Sequence, residues 1–220
     1  MNISKFVCPT KFIYARRRLP AQGLRILDIG CGNNSPTITK RWFAGSHYSG
    51  ADIQRYNNSE AALAAIDDYY SLDMDGTGYD AIPDCSFDFV IVHHVLEHMH
   101  TPEATLASIC SKLKPGGYIW IAFPSLRSLS LPSAKGTLQT LQFCDDDTHV
   151  FVPGIRETSN ILLKNDVKIL HAGRSRDIPR MLLGALLLPW ALVKKMFTGK
   201  LCIGLQHILG FEDHVFGQRR

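Results

Sequence analysis

The chain has 220 residues, 45% of them apolar and 20% charged, with a net charge of +4. That is enough for one sizeable globular domain and too little for two ordinary ones. The mild charge argues against a nucleic-acid partner, which asks for a concentrated basic face. Six cysteines (Cys8, Cys31, Cys85, Cys110, Cys144, Cys202) are scattered without a close pair. This argues against a zinc ribbon, a redox pair or a disulfide scaffold and suits a reducing compartment. The N-terminus lacks the apolar core of a signal peptide, and no run of about 20 apolar residues would span a bilayer, so a cytoplasmic protein is expected.

Residues 1–23 carry little regular pattern, and Arg16-Arg17-Arg18 reads as a solvated surface. Leu24–Ile29 is the first expected strand. It runs through Asp28 into Gly30-Cys31-Gly32, where two glycines without Cβ let the backbone turn sharply and approach a ligand. Thr37–Phe43 is expected as a short helix with Ser35 as its cap and Pro36 at its first position. Its free N–H groups would favour a negative group at the loop. Tyr48–Ile53 is a second strand ending in Asp52, Ser59–Ile66 an Ala-rich helix, and Tyr69–Leu72 a third strand leading to Asp73-Met74.

Ser86–His93, rich in β-branched and aromatic residues, is a buried fourth strand. A helix opens at Thr101-Pro102-Glu103 and runs to about Leu113, Pro115-Gly116-Gly117 is a turn, and Tyr118–Phe123 is a fifth strand stopped by Pro124. Residues 125–154 form a long loop, of the kind that often serves function in a compact domain. A helix over Arg156–Lys164 and a strand over Val167–Ala172 follow. Residues 178–197 are apolar nearly all round with Pro189 expected to kink them, and His214–Gly217 is expected as a last edge strand. Strands alternating with helices predict an α/β, doubly wound, mostly parallel sheet flanked by helices, with ligands at the carboxyl strand ends.

The glycine loop fails two phosphate-binding patterns. Ser35-Pro36 stands where a dinucleotide fingerprint has its third small residue, and the Gly-Lys-Ser/Thr of a P-loop is missing. Asp28-Ile29-Gly30-Cys31-Gly32 instead resembles the Asp-x-Gly-x-Gly loop of class I S-adenosylmethionine-dependent methyltransferases. The resemblance extends to the acidic second-strand end at Tyr48–Ile53, to the fourth strand and turn at Ser86–His98, and to Leu113-Lys114-Pro115-Gly116-Gly117 before the fifth strand. It covers residues 24–123 in order and spacing, and it departs at Asn34, where many members carry a third glycine. Asn is the next best residue for a left-handed backbone.

The resemblance implies a single methyltransferase domain over residues 1–220 with a seven-stranded sheet. Residues 24–123 would bind the cofactor. Residues 124–220 would supply the acceptor-side loop, the last strands and an apolar helical insertion. S-adenosylmethionine would be the cofactor. Asp28, Gly30, Cys31 and Gly32 would face its methionine part, Asp52 its ribose hydroxyls, Asp73 its adenine amino group, Ile53 and Met74 the ring, and His93 the sulfonium region. His94 near the substrate and His149 in the long loop are the candidate general bases, since imidazole titrates near neutrality. His94-Val95-Leu96-Glu97-His98 also spells an inverted zinc-peptidase signature, but that needs one continuous helix where this family has a turn, so no metal is expected.

The expected reaction moves a methyl group to an oxygen or nitrogen of a small-molecule or glycan acceptor, with no nucleic acid involved. A methyltransferase-like binding module without turnover and an NAD-dependent oxidoreductase are the alternatives. Segment 178–197 is expected as a buried or lid helix. A homodimer face or a peripheral contact at the inner membrane surface stands as its alternative, given the flanking Arg180, Lys194 and Lys195.

Overall fold

The computed structural model describes residues 8–20, 22–73, 77–133, 141–176 and 209–220, with residues 178, 181, 182, 185, 186, 189, 190 and 193 in between. Among the described residues, seven strands form one sheet in the order β3-β2-β1-β4-β5-β7-β6. They are β1 (Arg25–Ile29), β2 (His47–Asp52), β3 (Asp68–Ser71), β4 (Phe87–His93), β5 (Leu113–Pro124), β6 (Val167–Arg174) and β7 (Glu212–Arg219). Strands β3, β2, β1, β4 and β5 run parallel, and β7 lies antiparallel between β5 and β6.

Helices α1 (Thr10–Arg16), α2 (Ser35–Trp42), α3 (Glu60–Ala64), α4 (Pro102–Lys112) and α5 (Ile155–Lys164) flank the sheet. Its central strands are covered on both faces, and the core divides accordingly. One cluster includes Leu27, Ile29, Val90, Val92, Leu106 and Ile121, the other Phe12, Ile26, Phe43, Phe89, Ile91 and Trp120. Alternate residues of β1, β4 and β5 therefore feed opposite layers.

Four local expectations are corrected. The N-terminal segment holds α1, which turns Phe12 and Ala15 into the core at helical spacing. The last strand is no edge: β7 pairs with β5 on one side and β6 on the other, and Val215 and Phe216 are buried on its opposite faces. The Pro115-Gly116-Gly117 stretch belongs to β5 and is an irregularity in it rather than a turn before it. Leu113 already pairs with Phe87, Gly116 takes φ +80°, and a Cβ on Gly117 would stand 2.9 Å from the Phe87 carbonyl oxygen. Ser35 is not the cap of α2: Asn34 holds that position at φ 59°, and the Ser35 hydroxyl turns inward.

Order β1-β4 is where the sheet reverses direction of growth, so the crevice at the carboxyl ends of these two strands is the topological switch point. Most of the expected apolar insertion at 178–197 lies outside the described residues; Pro189 itself is described, in helical backbone and exposed. Among the described residues, no helix is long and apolar enough to cross a membrane.

Candidate active site

The site is built where β1 ends. Asp28 sits between Gly50 of β2 and Ile91 of β4, and the chain then turns at Gly30, which takes φ +75° and donates its amide N–H to the Ala51 carbonyl (2.8 Å). A Cβ at Gly30 would come within 2.5 Å of Val95 Cγ2, so this residue must be glycine on both conformational and steric grounds.

An asparagine clasp closes the other side of the loop. Asn33 and Asn34 both occupy left-handed backbone. Asn57 Nδ2 donates to Asn33 Oδ1 (2.6 Å), the Asn34 amide donates to Asn58 Oδ1 (2.8 Å), and Asn58 Nδ2 donates to the Cys31 carbonyl (3.2 Å). Asn34 Oδ1 in turn accepts from the amide and hydroxyl of Ser59. The departure from glycine at Asn34 is thus functional in the fold: a side chain there ties the glycine loop to the start of α3. Gly32 lies under this clasp, 3.0 Å in Cβ terms from the Tyr56 carbonyl.

Asp28 is buried. Its Oδ2 accepts from Ser35 Oγ (2.5 Å) and Tyr48 Oη (2.7 Å), whereas Oδ1 is buried with no donor among the described residues. A buried carboxylate oxygen without a donor is costly unless a ligand supplies one. An ammonium-bearing ligand meets that need. Lys11, which the sequence reading missed, reaches in from α1 and donates to Ser35 Oγ (2.9 Å). Burial lowers its pKa, opposed by the charges of Asp28 and Glu212. Cys31 turns its thiol inward under Gly50, and burial raises its pKa, so only its backbone is presented at the loop surface.

Asp52 stands half-buried at the end of β2, its Oδ1 3.5 Å from the Gln54 amide, and burial raises its pKa against these backbone bonds. Ile53 beside it is 47% exposed, an apolar face next to a carboxylate. Asp73 is exposed and accepts from Thr77 Oγ1 (3.0 Å). Met74 lies outside the described residues. Strand order β3-β2-β1 sets Asp73, Asp52 and Asp28 side by side toward the carboxyl ends of their strands.

On the acceptor side, His93 closes β4 and His94 follows in left-handed backbone at φ 56°. His94 Nδ1–H donates to Glu97 Oε1 (3.0 Å) and its Nε2–H to Glu212 Oε2 (3.0 Å). Burial alone would lower its pKa, but these two carboxylates outweigh burial and raise it to about 10. His93 Nε2 lies 3.1 Å from the same Glu212 oxygen. Burial lowers the His93 pKa, with the Glu212 charge opposing. Burial would raise Glu212, but the two imidazoles hold it well below the usual carboxylate range. Glu212 was also missed: it opens β7, two residues before the span expected as a strand.

His149 is placed on the same side, but its Nδ1–H donates to the Phe143 carbonyl (2.7 Å) and only 6% of its side chain is exposed. His98 Nδ1 meets Thr148 Oγ1 at 3.0 Å. Glu97, His98 and His149 each offer a ligand atom within 4.8 Å of the others, and Glu97 Oε2 has no donor among the described residues, so this trio can hold a metal ion. Its residues come from a short 3-10 turn (Leu96–His98) and the following loop, not from the continuous helix of a zinc peptidase.

A family model described as a methyltransferase domain matches residues 9–172. The chain belongs to this methyltransferase family. Its cofactor is S-adenosylmethionine, which suits the row of three carboxylates and a loop built without a phosphate-binding lysine. Among curated relatives, the chain is similar to a ubiquinone biosynthesis O-methyltransferase of Nitrosococcus oceani, with 27% identity over 66% of this chain and 64% of the relative. It is also similar to one of Chelativorans sp., with 30% identity over 62% of this chain and 54% of the relative. The match spans only about half to two thirds of the length of these relatives. Among solved structures, an S-adenosylmethionine-dependent methyltransferase from Mesorhizobium loti has the same fold, with a TM-score of 0.62, 18% identity and coverage of 96% of this chain and 98% of that one.

Proposed function

We propose that this methyltransferase transfers the methyl group of S-adenosylmethionine to a hydroxyl oxygen of a small, partly apolar acceptor. The observation that carries the reading is the shared edge of Asp28, Asp52 and His93. The carboxylates hold the two ends of the cofactor's amino acid and ribose, and the imidazole stands where the sulfonium would lie. Asp28 Oδ1 would take the ammonium, Lys11 the carboxylate, Asp52 the ribose hydroxyls, Ile53 the adenine face and Asp73 its amino group. The cofactor supplies an already activated methyl. The protein's task is to align the acceptor oxygen behind the methyl carbon and to remove one proton.

Two further features support an apolar hydroxylated acceptor over a nitrogen or glycan one. The curated relatives named above are O-methyltransferases of ubiquinone biosynthesis. Ile178, Leu182, Leu186, Trp190 and Val193 are each more than half exposed and recur at helical spacing. An apolar face of this kind, flanked in sequence by Arg180, Lys194 and Lys195, suits peripheral contact with an anionic membrane surface, where apolar acceptors are found. Cosedimentation with phosphatidylglycerol vesicles tests this contact. Binding lost on Trp190→Glu supports it; a stable dimer with no vesicle binding would replace it with a homodimer face.

The function is tested by incubating the protein with methyl-labelled S-adenosylmethionine and a panel of phenols, catechols, amines and sugars. Label on a phenolic or catecholic oxygen supports the reading. Label on nitrogen, or cofactor binding with no transfer to any acceptor, counts against it; the second result is what a binding module without turnover would give.

A further inference from the structure

We propose that His93 is the general base of the transfer, with Glu212 as the positioning residue that fixes its tautomer. This deepens the reading above and rests on it.

Four histidines crowd the acceptor side; His98 spends Nδ1 on Thr148 (3.0 Å), and geometry separates the other three. His94 has both ring nitrogens committed to carboxylates, at 3.0 Å each, and so carries two N–H groups and no lone pair. His149 spends Nδ1 on the Phe143 carbonyl and is nearly enclosed. His93 differs from both. It lies at the carboxyl end of β4, at the switch point, with 36% of its side chain exposed. Its Nε2 faces Glu212 at 3.1 Å, and its Nδ1 has no partner among the described residues. A carboxylate accepts, so Nε2 bears the proton and Nδ1 the lone pair. The charged and titratable groups that bear on His93 are Glu212 from β7, His94 from the turn after β4, and Lys11 from α1. One anion and two cations surround it, and together with burial they keep it neutral near pH 7.

In the step itself, the acceptor oxygen forms a bond to the methyl carbon while the carbon–sulfur bond breaks. The electron pair of that bond leaves on sulfur as a neutral thioether. The hydroxyl proton passes to His93 Nδ1. The imidazolium so formed is paired with the Glu212 carboxylate, and the proton is released to water after product departs. Glu212 thus plays two parts: it selects the tautomer before the step and balances the charge after it.

The test uses catechol and methyl-labelled S-adenosylmethionine with the whole protein after treatment with EDTA, so that no metal supplies the activated oxygen. In His93→Gln, turnover measured at saturating S-adenosylmethionine should fall by about 10²–10⁴-fold. The acid limb of the pH–rate profile, which in the parent rises through the His93 pKa below 6.5, should disappear. Glu212→Gln should move that limb to lower pH, and Glu212→Asp should restore part of the rate. A structural role alone would not move the limb. A folded, cofactor-binding His93→Gln protein that keeps more than a tenth of the parent turnover, or a parent enzyme silenced by EDTA, would overturn the assignment. Imidazole nitrogen NMR of the free protein reads the tautomer without any acceptor, and a proton on His93 Nδ1 at pH 7.5 overturns the inference even where methyl transfer to hydroxyls stands.

Discussion

Glu212 Oε2 lies 3.1 Å from His93 Nε2 and 3.0 Å from His94 Nε2, so one carboxylate oxygen joins two adjacent imidazoles. The two rings respond in opposite directions: His94, with a second carboxylate at Glu97, is raised to about 10, and His93 is lowered. Adjacent residues of one type thus hold different charges near neutrality, one a fixed cation and one a base.

That relationship carries a prediction for stability. A histidine whose pKa is raised in the folded state stabilises the fold fully below its unfolded value and loses that contribution as pH rises through the folded value. For His94 the window runs from about 6.5 to about 10. The melting temperature, followed by circular dichroism from pH 6 to pH 10.5, should fall across this window. His94→Gln should flatten the slope, since the variant has nothing there to titrate. An equal slope in both proteins would remove His94 as its cause.

Asp52 is expected to hold the ribose hydroxyls. Asp52→Ala removes one or two charge-assisted hydrogen bonds and should weaken S-adenosylmethionine binding by about 1.5–3 kcal/mol per bond lost. Calorimetry on the folded variant reads this directly, and unchanged affinity would take Asp52 out of the site.

Lys11 offers a more selective probe. Its amine reaches Ser35 Oγ beside Asp28, where the carboxylate of the methionine part would lie. Lys11→Met should weaken S-adenosylmethionine about tenfold or more and leave decarboxylated S-adenosylmethionine nearly unaffected, because a charge-assisted hydrogen bond is lost only with the first ligand. Equal losses for both ligands would mean that Lys11 serves the fold instead.

Gly30 is constrained twice, by φ +75° and by the 2.5 Å approach a Cβ would make to Val95 Cγ2. Gly30→Ala should destabilise the protein by about 1–3 kcal/mol. The double variant with Val95→Ala should recover the steric part only, leaving the backbone part of the cost. Full recovery in urea denaturation would show that conformation plays no role.

Much of this architecture is legible in the chain because burial and turn chemistry speak through local pattern. The parallel strands β1 and β4 are continuous apolar runs, and Asp28, Gly30 and Asp52 stand at their ends or that of β2, where the fold places ligands. What was hidden came from long range. Helix α1 is only about two turns long, and its one signal is Phe12 and Ala15 facing the same way, so Lys11 looks like one basic residue among several. Strand β7 looks like an edge because most of its residues are polar, yet it is inserted between β5 and β6. Glu212 reaches His94 from 118 positions away, and no local spacing reports such a contact. The partners of His94 and His149 are equally remote from local pattern: residue type suggests a base, and Glu97, Glu212 and the Phe143 carbonyl occupy their ring nitrogens. The asparagine clasp shows the reverse case, in which an apparent defect at Asn34 is a tie to Ser59.

The most direct measurement follows the methyl group itself. Methyl-labelled S-adenosylmethionine, catechol and the protein are incubated and the products resolved by chromatography and mass. Aryl methyl ether and S-adenosylhomocysteine in equal amounts, both formed about 10²–10⁴-fold more slowly with His93→Gln, are the predicted result. Cofactor bound at the glycine loop with no labelled ether formed from any hydroxylated acceptor would contradict it.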